Sequence, residues 1–176
     1  KHGIVWIWPG NAPADAAAIP DYGIIDRTDP LHVSELDYLT IAAGYRMITD
    51  NLLDLSHVPF LHPGALSGSV RDEVTVQSAG DTVDISRWSY DVEAPSVFDM
   101  LFRQDGRTVD SWTEMHWMPP GCMILDTGVR APGTPKESGT GYYGLHLLTP
   151  ETASTTHYHF AAVRFNVKQC SREDDL

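Results

Sequence analysis

Asp50-Asn51-Leu52-Leu53-Asp54-Leu55-Ser56-His57-Val58-Pro59-Phe60-Leu61-His62 is the stretch on which the reading of this chain turns. It places two histidines five residues apart, with Asp54 and Asn51 just upstream. On a straight α-helix, at roughly 100° per residue, Asp50, Asp54 and His57 fall within about 60° of one another. Ile48, Leu52 and Leu55 lie on the other side, giving one apolar face and one ionisable stripe. His62 would stand about 140° from His57 on that helix, too far round to share an ion. Pro59 alters this, because it has no N–H for the Leu55 carbonyl and biases Val58 away from helical backbone. The expectation is a helix that kinks or ends just after His57, with the next turn swinging His62 back to the same point.

Imidazole is a neutral nitrogen donor suited to Fe(II), and two histidines with one carboxylate on a face leave about three coordination positions open. Read from the residues alone, Asp54 is either an acceptor that orients a ligating ring or a partner for a helix cation such as Arg46. Asn51 is either a site residue or a helix-surface amide. No H-E-x-x-H arrangement accompanies the pair, which weakens a zinc hydrolase reading.

The spacing N-x-x-D-x-x-H-x-x-x-x-H, carried here by Asn51, Asp54, His57 and His62, resembles the catalytic-domain signature of the Rieske non-haem iron oxygenases. Gly3-Ile4-Val5-Trp6-Ile7-Trp8-Pro9-Gly10 is similar to the segment leading out of the Rieske domain in the vanillate O-demethylase and dicamba monooxygenase branch. Leu145 to Thr152 and His157-Tyr158-His159-Phe160 resemble late strands of the same subunits. The resemblance implies an α+β fold, an antiparallel sheet curled around a helix in the helix-grip (START/Bet v 1-like) manner, enclosing an apolar cavity. It implies that His57 and His62 bind a mononuclear Fe(II), that Asn51 lies near it, and that Asp54 links the iron histidines to a neighbouring subunit's cluster. His146 matches a position that faces the substrate, and Ile124 and Leu125 match cavity-lining positions. Leu125 is apolar where related oxygenases place a polar contact.

By the same resemblance, residues 1–10 are the end of a linker from a missing Rieske domain and residues 11–176 a partial non-haem iron catalytic domain. Neither Cys122 nor Cys170 stands in a C-x-H or C-x-x-H pair of the kind that holds a [2Fe–2S] cluster. The third iron ligand is expected beyond Leu176, since Asp174 and Asp175 follow the last strand too closely. The expected function is an oxygenase component that hydroxylates or O-demethylates a small aromatic compound such as a methoxybenzoate. It would use O2 and electrons from NAD(P)H through a separate reductase or ferredoxin, as a homotrimer. The alternative is a non-catalytic helix-grip domain that binds an apolar ligand without metal.

Working outward, the chain turns to strands after Glu73. Val74–Val76 and Thr82–Ser86 flank Ala79-Gly80-Asp81, a hairpin signal, and further strands are expected at Val109–Trp117, Cys122–Val129, Tyr142–Leu148 and Thr155–Phe165. Ile4–Trp8 and Val33–Ala42 read as strands, Asn11–Pro30 as a surface wrap, Ala94–Arg103 as a short helix, and Pro63–Ser69 as a loop beside the site. His116, His157 and His159 read as surface histidines, and Trp88, Trp112 and Trp117 as sheet packing. Twenty-four acidic against twelve basic residues, a net charge of −12, speak against nucleic-acid binding. With no apolar run long enough for a membrane span and two lone cysteines, the expectation is a cytoplasmic protein away from membranes.

Overall fold

A computed structural model describes residues 1–26, 33–62 and 72–168. The loop Pro63–Ser69, Cys170, Asp174 and Asp175 lie outside the described residues. Seven strands, β1 (Val33–Ile41), β2 (Asp72–Ala79), β3 (Thr82–Val92), β4 (Val109–Met118), β5 (Cys122–Arg130), β6 (Thr140–Pro150) and β7 (Thr156–Phe165), form one sheet in the order β1-β7-β6-β5-β4-β3-β2. Every neighbouring pair is antiparallel. From β2 onward each strand pairs with the next, the β3–β4 connection carrying α3 and the others being shorter, while β1 is brought to the far edge against β7. Gly80, at φ +61°, makes the β2–β3 turn that the Ala79-Gly80-Asp81 signal anticipates.

Helices α1 (Tyr45–Leu53) and α3 (Ser96–Phe102) pack on the same side of the sheet. Tyr45, Ile48, Leu52 and Leu53 of α1 lie against Met115, Met123 and Leu148, none of which is more than 5% exposed. Fully burying each such side chain contributes about 1.5–3 kcal/mol. Phe98 of α3 stacks on Tyr142 with ring centroids 5.8 Å apart, over Val109 and Val129. Alternation along β5 sends Met123, Leu125, Thr127 and Val129 to the helix side and Cys122, Ile124 and Asp126 to the outer side.

The outer side is covered at one end by the N-terminal segment. Ile4 and Trp6 pack with Tyr22, Leu145 and Ala161, and the Trp6 and Tyr22 rings stack 6.2 Å apart. The Ile4–Trp8 alternation is real, but the run joins no ladder, so it is extended chain and not the strand expected from its pattern. Farther along this side Trp88 stacks on Trp112 at 5.6 Å, and Lys136 bridges Glu114 (2.6 Å) and Asp126 (2.7 Å). His116 bonds Asp84 and His157 bonds the Tyr38 hydroxyl, each at 2.6 Å, so both have ordinary surface partners.

Candidate metal centre

The helix that carries Asn51 begins at Tyr45 and ends earlier than expected. α1 stops at Leu53, Asp54 leaves helical backbone (φ −81°, ψ 82°), and a single 3₁₀ turn at Leu55–His57 follows. A second short helix, α2, then runs Val58–Leu61. The break therefore falls at Asp54, not after His57, and Val58 stays helical (φ −53°, ψ −46°) despite the proline behind it. The cause is local. The Asp54 carboxylate accepts from the Ser56 N–H at 2.9 Å and from the Ser56 hydroxyl at 2.5 Å, an Asx turn that competes with the helical ladder. Pro59 sits in the first turn of α2, where a missing N–H costs nothing.

The break at Asp54 and the tight turn after it bring the histidine rings together. His57 and His62 stand edge to face with centroids 5.6 Å apart. His62 and Asp54 are exposed, His57 is half-buried, and its Nδ1 is sealed without a partner. Two imidazoles at this separation suit a shared divalent ion with metal–nitrogen bonds of about 2.0–2.1 Å. No group of three or more His, Cys, Asp or Glu side chains gathers among the described residues. Hydrogen bonds from the Ser56 hydroxyl and then its N–H hold the Asp54 carboxyl below the usual carboxylate range, with His57 adding to the effect. Asp54 faces solvent with its carboxylate bonded to Ser56; Arg46, its suggested salt-bridge partner, reaches the Tyr45 hydroxyl. Asn51 is exposed on α1.

Farther into the helix side, His146 of β6 bonds the Tyr158 hydroxyl through Nδ1 at 2.5 Å, while its Nε2 is buried without a partner. Burial lowers its pKa from 6.5 to about 4. A Cβ at Gly144 would stand 3.1 Å from that Nε2 and 3.3 Å from Leu125, so glycine here keeps the nitrogen clear. Trp117, also facing α1, has a buried Nε1 with no partner.

Of the expected cavity-lining pair, only Leu125 shares the helix side with His146. Ile124 points the other way, against Tyr22 and Leu145, and lines an outer groove of about 330 Å³ with Asp84, Glu114 and His116. Consecutive residues of one strand cannot both face the same cavity. Sequence reading missed Tyr158, Gly144 and Arg87. Arg87 carried a usable signal, a lone arginine among residues that alternate into the core of β3.

Residues 41–174 match the family model described as the vanillate O-demethylase oxygenase C-terminal domain. The dicamba O-demethylase oxygenase component of Stenotrophomonas maltophilia is 33% identical over 167 residues, which cover 93% of this chain and 49% of that protein. The chloroacetanilide N-alkylformylase oxygenase component of Rhizorhabdus wittichii is 32% identical over 180 residues, covering 99% of this chain and 50% of that protein. A crystal structure of dicamba monooxygenase bound to dicamba superposes with a TM-score of 0.81 at 32% identity, over 93% of this chain and 48% of the other. The chain spans about half the length of these relatives.

Proposed function

Because the chain belongs to the vanillate O-demethylase oxygenase C-terminal domain family, we propose that it is the catalytic part of a Rieske-type oxygenase component, hydroxylating or O-demethylating a small aromatic compound with O2 and external electrons. The supporting observation is the approach of the His57 and His62 rings to 5.6 Å just past a helix break, with one buried ring nitrogen left unpartnered. His57 and His62 would hold Fe(II), whose chemistry when bound is the activation of dioxygen.

The remaining work falls to the chain's own side chains. His146, kept neutral by burial, offers Nε2 to a carboxylate or hydroxyl of the substrate, and the Tyr158 hydroxyl at Nδ1 fixes the ring. Leu125 and Met123 supply an apolar wall that excludes water and suits an aromatic ring. Asp54, ionised and facing solvent, would meet the electron-carrying domain of a neighbouring subunit, with Asn51 one turn behind it. This reading includes a homotrimer, a [2Fe–2S] Rieske cluster carried elsewhere in the subunit, and a reductase or ferredoxin fed by NAD(P)H.

Hydroxylating a methoxy carbon yields a hemiacetal that collapses to a phenol and formaldehyde, so formaldehyde separates O-demethylation from ring hydroxylation. The test supplies the oxygenase with reductase, NADH and a methoxybenzoate. Formaldehyde release with iron-dependent O2 uptake, both lost in His57→Ala and His62→Ala along with bound iron, is expected. Ligand binding unchanged by chelation, with no O2 uptake, would overturn the reading in favour of a metal-free binding domain.

A further inference from the structure

We infer that Arg87 positions His57 against His62 by tying the turn that carries His57 to the first residue of β2; this rests on the reading of His57 and His62 as iron ligands. Arg87, on the helix side of β3, is 7% exposed. Its Nη1 donates to the Leu55 carbonyl at 3.2 Å, two residues before His57. Its Nε donates to the Asp72 carboxylate at 2.6 Å, and Nη2 reaches the same oxygen. Ser89, two residues along the strand, donates to the other Asp72 oxygen. Leu55 opens the turn that bears His57, and Asp72 is the first residue of β2, downstream of His62.

The Leu55 carbonyl lies in the 3₁₀ turn, where its backbone donor is the N–H three residues on. A carbonyl oxygen has two lone pairs, and the guanidinium fills the second with a charged donor in a buried place. The planar fork matters as much as the charge, because one head group must satisfy a carboxylate and a carbonyl in fixed directions. Tied through Arg87 to Asp72, the turn that opens at Leu55 presents His57 toward His62 without having to be ordered when an ion arrives. Neither the iron nor the substrate needs to touch Arg87 for it to set the geometry of the site.

The experiment titrates Co(II), a spectroscopic substitute for Fe(II), into the purified protein under nitrogen and follows the visible ligand-field bands. Urea transitions of the metal-free proteins are recorded alongside. Arg87→Gln is expected to weaken Co(II) binding about 10–100-fold, as outer partners of metal ligands do, and to shift the bands. Arg87→Lys, which keeps the charge but not the fork, is expected to lose part of the affinity. A lowered urea midpoint with wild-type affinity and bands in both Arg87 variants would overturn the inference, since a purely structural arginine behaves that way. Should Arg87→Gln fail to fold, Arg87→Lys and Asp72→Asn decide on the same criteria. His57→Ala separates the two levels: binding that it abolishes but the Arg87 variants leave intact sinks only the role of Arg87. Binding that His57→Ala leaves intact sinks the iron site, and the inference with it.

Discussion

Burial brings the His146 imidazole from its ordinary 6.5 down to about 4, and that shift has a measurable consequence for the whole protein. The unfolded chain takes up a proton at this residue below about pH 6.5, whereas the folded chain declines it until about pH 4. More protons bound in the unfolded state mean that stability rises with pH through that window and levels off above it. On the order of 3 kcal/mol is the most this single group contributes. Urea unfolding of His146→Leu should therefore fall less steeply between pH 6.5 and 4 than that of the unmodified protein. An equal slope would show that the ring is charged in the fold. Under the proposed function the same neutrality matters, because a neutral ring would pair with substrate through one hydrogen bond and not through a fixed charge. That His146 stands in an apolar run was legible in the sequence. Its Tyr158 partner was not, because the contact crosses the β6–β7 hairpin and depends on register.

Strand alternation makes neighbouring residues answer to different parts of the molecule. Leu125 faces α1 with His146, while Ile124 packs under the N-terminal segment with Tyr22 and Leu145. Ile124→Ala is expected to cost about 2–5 kcal/mol at most, less for a half-buried site, and to leave the KM for the aromatic substrate unchanged. Leu125→Ala should raise or lower that KM severalfold while costing comparable stability; a KM effect of Ile124→Ala instead would place the cavity on the wrong side. Among the elements, β4 to β7 were legible within two residues at each end, because short turns rich in Pro and Gly punctuate alternating runs. The α1 break was misplaced for an identifiable reason. Pro59 draws attention as a helix breaker, yet proline fits the first turn of a helix, and the quieter Asp54-x-Ser56 spacing ends α1. The strand expected at Ile4–Trp8 failed differently: alternation reports one buried face, and an extended segment laid on the sheet has one without pairing.

Charge acts at the scale of the whole molecule, where 24 acidic residues face 12 basic ones. Arg87, Arg103, Arg107, Arg130 and Lys136, five of the twelve cations, are each committed to at least one aspartate or glutamate. What remains on the surface is an excess of carboxylates, including Asp50 and Asp54 beside the histidines. Like charges repel most in the compact state, and salt screens them as the Debye length shrinks from about 10 Å at 0.1 M to about 3 Å at 1 M. The buried Arg87–Asp72 pair is shielded from that screening, and exposed pairs such as Arg107–Asp105 contribute little. Relief of repulsion should therefore outweigh loss of attraction. The urea midpoint at pH 7.5 is expected to rise between 0.05 and about 0.5 M NaCl, and a fall would mean that surface pairs, not the carboxylate excess, govern the fold's electrostatics. The same excess bears on the site, because carboxylates around His57 and His62 raise the local concentration of a divalent cation. Co(II) or Fe(II) affinity should fall over the same salt range in which stability rises, and opposite slopes in one series of samples would tie both effects to one set of charges.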